Sequence, residues 1–333
     1  MTINDTIQSL VNLASPKMET KIIAVSDEFF GKATRMLNDK EPVFIEDKFD
    51  NHGKWMDGWE SKRRRDGGND WAILKLGSPG IISKIIIDTS YFTGNFPPYF
   101  SLEGLYSETG PKEDANWKTL IGKTNLIGDS TNNFELDSKE TLNFIRLQIF
   151  PDGGVARIRL FGVVKYNWNQ FHSNEIIELS SLKLGGSILA YNNAHYGDVS
   201  ALLSEGRGKT MGDGWETRRR REPGNDWIII KLAQKGNIER IEIDTAHFKG
   251  NYPDRASIQA TSIDKNITTK DLIQNSENWN IILDKTKLSA DNIHTYKINS
   301  NSNSKNEATH IRLNIYPDGG VSRLRIFGTK IDD

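Results

Sequence analysis

Two groups of residues carry the types that acid–base and anion chemistry require, and each group occurs twice. The first is Asp57, Glu60, Arg63, Arg64, Arg65, Asn69 and Asp70, repeated as Asp213, Glu216, Arg219, Arg220, Arg221, Asn225 and Asp226. Carboxyl groups set beside guanidiniums can hold N–H donors, move a proton and grip a ligand carboxylate. Asp57, Glu60, Asp213 and Glu216 are therefore the candidate proton-transfer groups. Arg63, Arg65, Asn69, Asp70, Arg219, Arg221, Asn225 and Asp226 are candidates for ligand binding. Side chains alternate along an extended segment, so Arg63 and Arg65 are predicted to share a side with Arg64 opposite. The second group is Arg146, Gln148, Asp152, Arg157 and Arg159, repeated as Arg312, Asn314, Asp318, Arg323 and Arg325. Arg146, Arg157, Arg312 and Arg323 join the binding candidates, because like charges facing across strands need an anion or a carboxylate between them. A ligand carboxylate would serve, and so would Asp88 or Asp244. In both groups the alternative is structural: the arginines pair with neighbouring acids and stitch loops together, and a turn aspartate such as Asp152 bonds its own backbone.

The elements that must position these groups follow from an internal duplication. Residues 57–97 match 213–253 without a gap at an offset of 156, with 24 of 41 identical; residues 145–162 match 311–328 at an offset of 166, with 13 of 18 identical. The two offsets locate the length changes: the second copy is ten residues shorter between 38 and 56 and ten longer after 260. Copy one is predicted over 20–165 and copy two over 186–330, with 166–185 as linker. Within each copy short β-branched runs bounded by Gly, Pro and Ser predict strands, as at 71–76 and 84–88. Apolar residues alternate with polar ones at 145–149 and again at 158–160, so Pro151-Asp152-Gly153-Gly154 reads as the turn of a β-hairpin. Many short strands separated by turn signals predict an all-β sandwich, with helix limited to pieces such as 28–37 and 199–203.

The chain of 333 residues has 43 Lys+Arg against 44 Asp+Glu and no Cys. A net charge of −1 gives no long-range attraction to nucleic acid or to anionic membrane. Acids flank the basic runs at 62–65 and 218–221, which argues against reading them as phosphate contacts. Without cysteine there is no disulfide, thiolate metal site or Cys nucleophile. The six histidines, at 52, 172, 195, 247, 294 and 310, form no zinc motif, and no phosphate loop, dinucleotide fingerprint or Gly-x-Ser-x-Gly is present. No metal and no cofactor is expected. No stretch of 18 apolar residues, no secretory start and no peroxisomal end is found, so a cytoplasmic address is expected, and a homo-oligomer is compatible with the sequence.

The run Asn69-Asp70-Trp71 to Gly77, followed by Asn95-Phe96-Pro97 and a closing strand from Arg157 to Gly162, resembles the discoidin or galactose-binding-like jelly roll. A more specific resemblance, to the allantoicases, rests on motifs present in both copies. These are Asp-Gly-Trp-Glu, the arginine run, Gly-Asn-Asp-Trp, Asp-Thr with Phe-x-Gly-Asn, and Pro-Asp-Gly-Gly-Val. Copy one departs in having Ser61-Lys62 where copy two has Thr217-Arg218. The resemblance implies two tandem jelly-roll sandwiches and release of urea from allantoate, a small acid whose central carbon bears a carboxylate and two ureido groups. The competing class is a non-catalytic glycan- or ligand-binding module; a sugar platform wants exposed aromatics, whereas this repeat is dense in Arg, Asp and Glu, which favours the small anion.

Overall fold

The computed structural model describes residues 10–264, 267–298 and 306–332. The chain divides into two compact units between residues 166 and 167. In the first unit the strands are β1 (Val11–Asn12), β2 (Lys21–Val25), β3 (Phe49–Asp50), β4 (Gly53–Lys54), β5 (Trp59–Glu60), β6 (Asp70–Asp88), β7 (Tyr99–Leu105), β8 (Lys118–Asn125), β9 (Thr131–Glu135), β10 (Leu142–Phe150), β11 (Gly154–Val155) and β12 (Arg157–Val164). The second unit repeats this set without the β3–β4 hairpin. Its strands are β13 (Ile177–Glu178), β14 (Ser187–Tyr191), β15 (Trp215–Glu216), β16 (Asp226–Asp244), β17 (Arg255–Thr261), β18 (Asn280–Lys287), β19 (Ile293–Lys297), β20 (Glu307–Tyr316), β21 (Gly320–Val321) and β22 (Arg323–Lys330). A helix, α1 (Thr269–Ser276), fills the lengthened connection after β17. No helix among the described residues is long and apolar enough to cross a membrane.

Each unit is a jelly-roll sandwich organised by one 19-residue strand. The first part of β6 pairs with β2 and β10, and its last part with β9 and β12. Both layers of the sandwich therefore grow from the same backbone. The layers bury the alternate Ile and Leu side chains that the sequence supplies, including Leu74, Ile85, Ile87, Ile145, Leu147 and Leu160, all fully enclosed. Burying an Ile or Leu side chain stabilises by about 1.5–3 kcal/mol relative to exposure, so this alternation sets which face of each strand turns inward.

Three expectations are corrected. The sandwich forms, but 151–154 is not the turn of a hairpin: β10 and β12 never pair with each other, and Gly153, at φ +142, carries the chain between layers. The alternation marked strands correctly and misassigned their partner. The apolar runs at 71–76 and 84–88 are one strand rather than two, because the Gly and Pro residues between them make a bulge near 76–80 instead of ending it. The units also reach further towards the N-terminus than 20 and 186. Val11–Asn12 pairs with β12, and Ile177–Glu178 pairs with β22, so the connecting segment is shorter than 166–185. Two-residue edge strands carry no periodicity by which they could be found.

Candidate functional site

Glu60 is presented by local geometry that its neighbours dictate. The preceding Trp59 is fully buried and donates its indole N–H to Asp27 O at 2.8 Å. Alternation along the two-residue strand then turns Glu60 the other way. Its backbone is gripped on both sides, by Gly154 of β11 and by Gly31, whose N–H donates to Glu60 O at 3.0 Å. Glu60 shares a cavity of about 530 Å³ with Phe30, Arg63, Asn95, Phe96 and Asp152. Asn95 Nδ2 donates to Glu60 Oε1 at 2.6 Å. The Asn95 loop is docked in turn on the double glycine, with Gly154 N donating to Asn95 O at 2.8 Å. A Cβ on Gly153 would lie 2.6 Å from Pro97 N, so the Pro-Asp-Gly-Gly motif is needed for this close approach.

The second unit builds the same cleft. Trp215 donates to Asn193 O at 2.8 Å, Asn251 Nδ2 donates to Glu216 Oε1, and Gly320 N donates to Asn251 O at 2.8 Å. Glu216, Arg219, Asn251, Tyr252 and Asp318 line a cavity of about 680 Å³.

Burial pushes the Glu60 carboxyl above the ordinary glutamate range, opposed by the weaker effect of the Asn95 hydrogen bond. The folded chain therefore holds this proton to higher pH than the unfolded chain does. Stability contributed by the neutral carboxyl is present at acid pH and declines as pH rises from the ordinary glutamate range through the raised value. A Glu60→Gln variant keeps an acceptor for Asn95 and cannot ionise. It is expected to melt above the parent near neutral pH and level with it well below about pH 4.3, which scanning calorimetry at the two pH values would check.

Arg63 and Arg219 are exposed, line these clefts and have no acidic partner among the described residues. They are the cationic groups free to meet an anion there. Arg64 and Asp152 also line the first cleft and Asp318 the second, and the remaining residues singled out in the sequence lie elsewhere. Arg157 is wholly buried: its guanidinium donates to Lys40 O, Asp57 O and Ala156 O and pairs with Asp57 Oδ2 at 2.7 Å. Arg323 repeats this with Gly206 O, Asp213 O and Asp213 Oδ2 at 3.0 Å. Asp57 with Arg157, and Asp213 with Arg323, thus form a clamp that ties the preceding loop to the sheet.

Asp70 and Asp226 are likewise buried and engaged, Asp70 accepting from Arg64 and Ser26 at 2.8 Å each, and Asp226 from Arg220 at 2.8 Å. Asn69 and Asn225 donate to the following backbone carbonyl and to Gln148 and Asn314, respectively. Arg146 lies on the sheet face opposite the core, bound to Glu103 at 2.6 Å and stacked on Trp117. Arg312 is buried against Trp227 and donates to Asn314 and Ser276. Arg63, Arg64 and Arg65 all line a shallow second concavity, and Arg63 and Arg64 both line the Glu60 cavity, so the expected separation of Arg64 from its neighbours is not what these cavities show. Arg65 does not line the Glu60 cavity, and Arg221 is exposed outside the second cleft. Asp152 and Asp318 bond not their own backbone but Arg64 N and Arg220 N, at 2.7 and 2.9 Å.

Of the sequence candidates, the structure brings together Glu60 with Arg63 and Glu216 with Arg219. What sequence reasoning missed is the direct partnership of Asn95 and Asn251 with the glutamates, and the aromatic walls. The signal was available: Phe-x-Gly-Asn recurs at the 156 offset, and an aromatic pair precedes Gly31 and Gly197. Among the described residues no group of three or more His, Asp or Glu converges as a metal site would need.

The model of the allantoicase repeat matches twice, over residues 11–165 and 177–331. The chain belongs to the allantoicase family. A probable allantoicase of Rhizobium meliloti is 47% identical over 324 residues, covering 97% of this chain and 94% of that protein. Probable allantoicase 1 of Burkholderia mallei is 46% identical over 320 residues, covering 96% and 94%. The crystal structure of allantoicase from Saccharomyces cerevisiae superposes with a TM-score of 0.81 at 32% identity, covering 96% of this chain and 93% of that one. The allantoicase likeness therefore spans both repeats and both clefts, as the duplicated motifs imply.

Proposed function

We propose that the chain hydrolyses allantoate to urea and ureidoglycolate, and that the reaction takes place in the Glu60 and Glu216 clefts. The observation that carries the placement is the twice-built set of a glutamate held by an asparagine beside an arginine with no acidic partner. Membership of the allantoicase family supports the reaction itself. In this reading Arg63 or Arg219 binds the substrate carboxylate, and Asn95 or Asn251 orients the acid. The glutamate carboxyl delivers a proton to the departing ureido nitrogen as the C–N bond breaks and urea leaves neutral. The lone pair of the remaining ureido nitrogen closes a C=N bond. Water then adds to that carbon, and its proton returns to the glutamate carboxylate, giving ureidoglycolate. A cleft rather than an open surface keeps charge development in a low-dielectric setting, where fixed groups act most strongly. The cysteine-free composition accords with a reducing compartment, and the cytoplasm is the setting we propose.

The direct test is urea release from allantoate by the purified chain, assayed with and without a chelator. One equivalent of urea per allantoate is expected, and no urea under either condition would end the reading. Truncating both arginines, as Arg63→Met with Arg219→Met, removes a charged contact worth about 1.5–3 kcal/mol. The KM for allantoate is then expected to rise by about 10- to 100-fold. An unchanged KM in steady-state kinetics would take these arginines out of the site.

A further inference from the structure

The two clefts share a scaffold and differ in their walls. Glu60 O accepts from Phe30 N and Gly31 N at 3.2 and 3.0 Å; Glu216 O accepts from His195 N and Tyr196 N at 2.9 and 3.2 Å. In the first unit Phe30 lines the cleft, edge-to-face with Phe29 at 5.0 Å between centroids; in the second the edge-to-face pair His195–Tyr196, 4.3 Å apart, lines it. Phe96 and Pro98 line the first cavity where Tyr252 and Asp254 line the second. Each exchange replaces a side chain that cannot hydrogen-bond by one that can. These rim positions differ between the copies, while Glu, Asn, Arg and the double glycine are kept.

We propose that the clefts divide the kinetics: the phenyl-walled cleft of the first unit works with the higher kcat and higher KM, and the hydroxyl-walled cleft of the second with the lower KM and lower kcat. This rests on the Glu60 reading above. Phenol and imidazole groups that reach a ureido carbonyl or the carboxylate do so equally before and during bond breaking, and such uniform binding lowers KM without raising kcat. Phenyl walls add no such contacts, so the ground state is held less tightly. An apolar wall also sets fewer polar groups beside the acid, so the charge that develops as urea departs is less screened by its wall than in the polar cleft. The burial that keeps Glu60 protonated to higher pH acts in the same direction. One chain would then release urea both at scarce and at abundant substrate.

The experiment is urea release over a wide range of allantoate concentration, for the unaltered chain, for Glu60→Gln and for Glu216→Gln. The unaltered chain is expected to give a two-phase saturation curve. Glu60→Gln should retain only the low-KM, low-kcat phase and Glu216→Gln only the other, with the two KM values at least tenfold apart. Adding Phe30→Tyr and Phe96→Tyr to Glu216→Gln inserts two hydroxyls into the first cleft and should lower both KM and kcat severalfold. Single variants that each keep half of kcat at a common KM would overturn the proposal, as would loss of all turnover in either one. Tyrosine grafts that fold, by circular dichroism, and leave KM unmoved would overturn it too. If no glutamine variant changes urea release, the Glu60 reading itself falls instead.

Discussion

Replacing Glu60 and Glu216 together by glutamine is expected to lower urea release from allantoate by about 10²–10⁴-fold, the usual worth of a positioned general acid–base group. The double change is required because each unit builds a complete cleft, so one glutamate would otherwise continue to turn substrate over. Glutamine is nearly the same size, and its carbonyl can still accept from Asn95 or Asn251. What is lost is the ability to give up a proton and take it back. Trp59 and Trp215 anchor their strands from the buried side, so the fold should be kept in the exchange, with the higher melting temperature near neutral pH already expected of Glu60→Gln. Binding should survive as well, because the carboxylate of the substrate is assigned to Arg63 and Arg219. Kinetics beside calorimetric titration of allantoate would separate the two effects. Turnover within threefold of the parent would remove these glutamates from the mechanism.

The second large effect is structural. Changing Arg157 to Met should destabilise the first unit by about 3–5 kcal/mol, the cost of removing one partner of a buried ion pair. Arg157 has no exposed surface, and its guanidinium holds Asp57 Oδ2 and three main-chain carbonyls together with Arg35 O at 3.3 Å. Methionine fills much of the volume but meets none of those acceptors, and Asp57 keeps only its bond from Val43 N. For a unit of this size the loss corresponds to a fall in Tm of about 6–20 °C. Asp57→Asn in the same background should recover part of it by removing the stranded charge. Arg323→Met, paired to Asp213 at 3.0 Å, provides the same measurement in the second unit. A melting curve within a degree of the parent would show that Arg157 does not clamp the loop.

The contrast between these two positions explains how far the sequence could be read. The duplication and the alternating apolar residues announced the sandwich, because burial imposes a period of two on any strand with one face inward. Pairing was not legible: Ile145–Ile149 and Ile158–Leu160 have the same pattern whether they face each other or, as they do, flank separate halves of β6. At the site, residue type named the right chemistry and too many bearers of it. Asp57 and Glu60, three positions apart and both acidic, look equivalent in one dimension. Arg157, a hundred residues on, engages the carboxylate of Asp57, while the carboxylate of Glu60 accepts from Asn95 and faces a cleft. Arginines divide the same way: Arg64 meets Asp66 and Asp70, whereas its neighbour Arg63 meets no acid among the described residues. Which guanidinium is spent on the fold is decided by distant segments, and local spacing cannot express that.

The length of β6 has a consequence for how each unit comes apart. Since one strand supplies hydrogen-bond partners to both layers, neither layer can open alone without exposing backbone amides in the other. Amide exchange in β10 and β12 should accordingly proceed at a common slow rate, through whole-unit unfolding. The glutamate, by contrast, sits on a two-residue strand held at its edges by β11 and Gly31. Amides there should exchange much faster through local fraying, which lets the cleft admit and release its ligand while the scaffold stays closed.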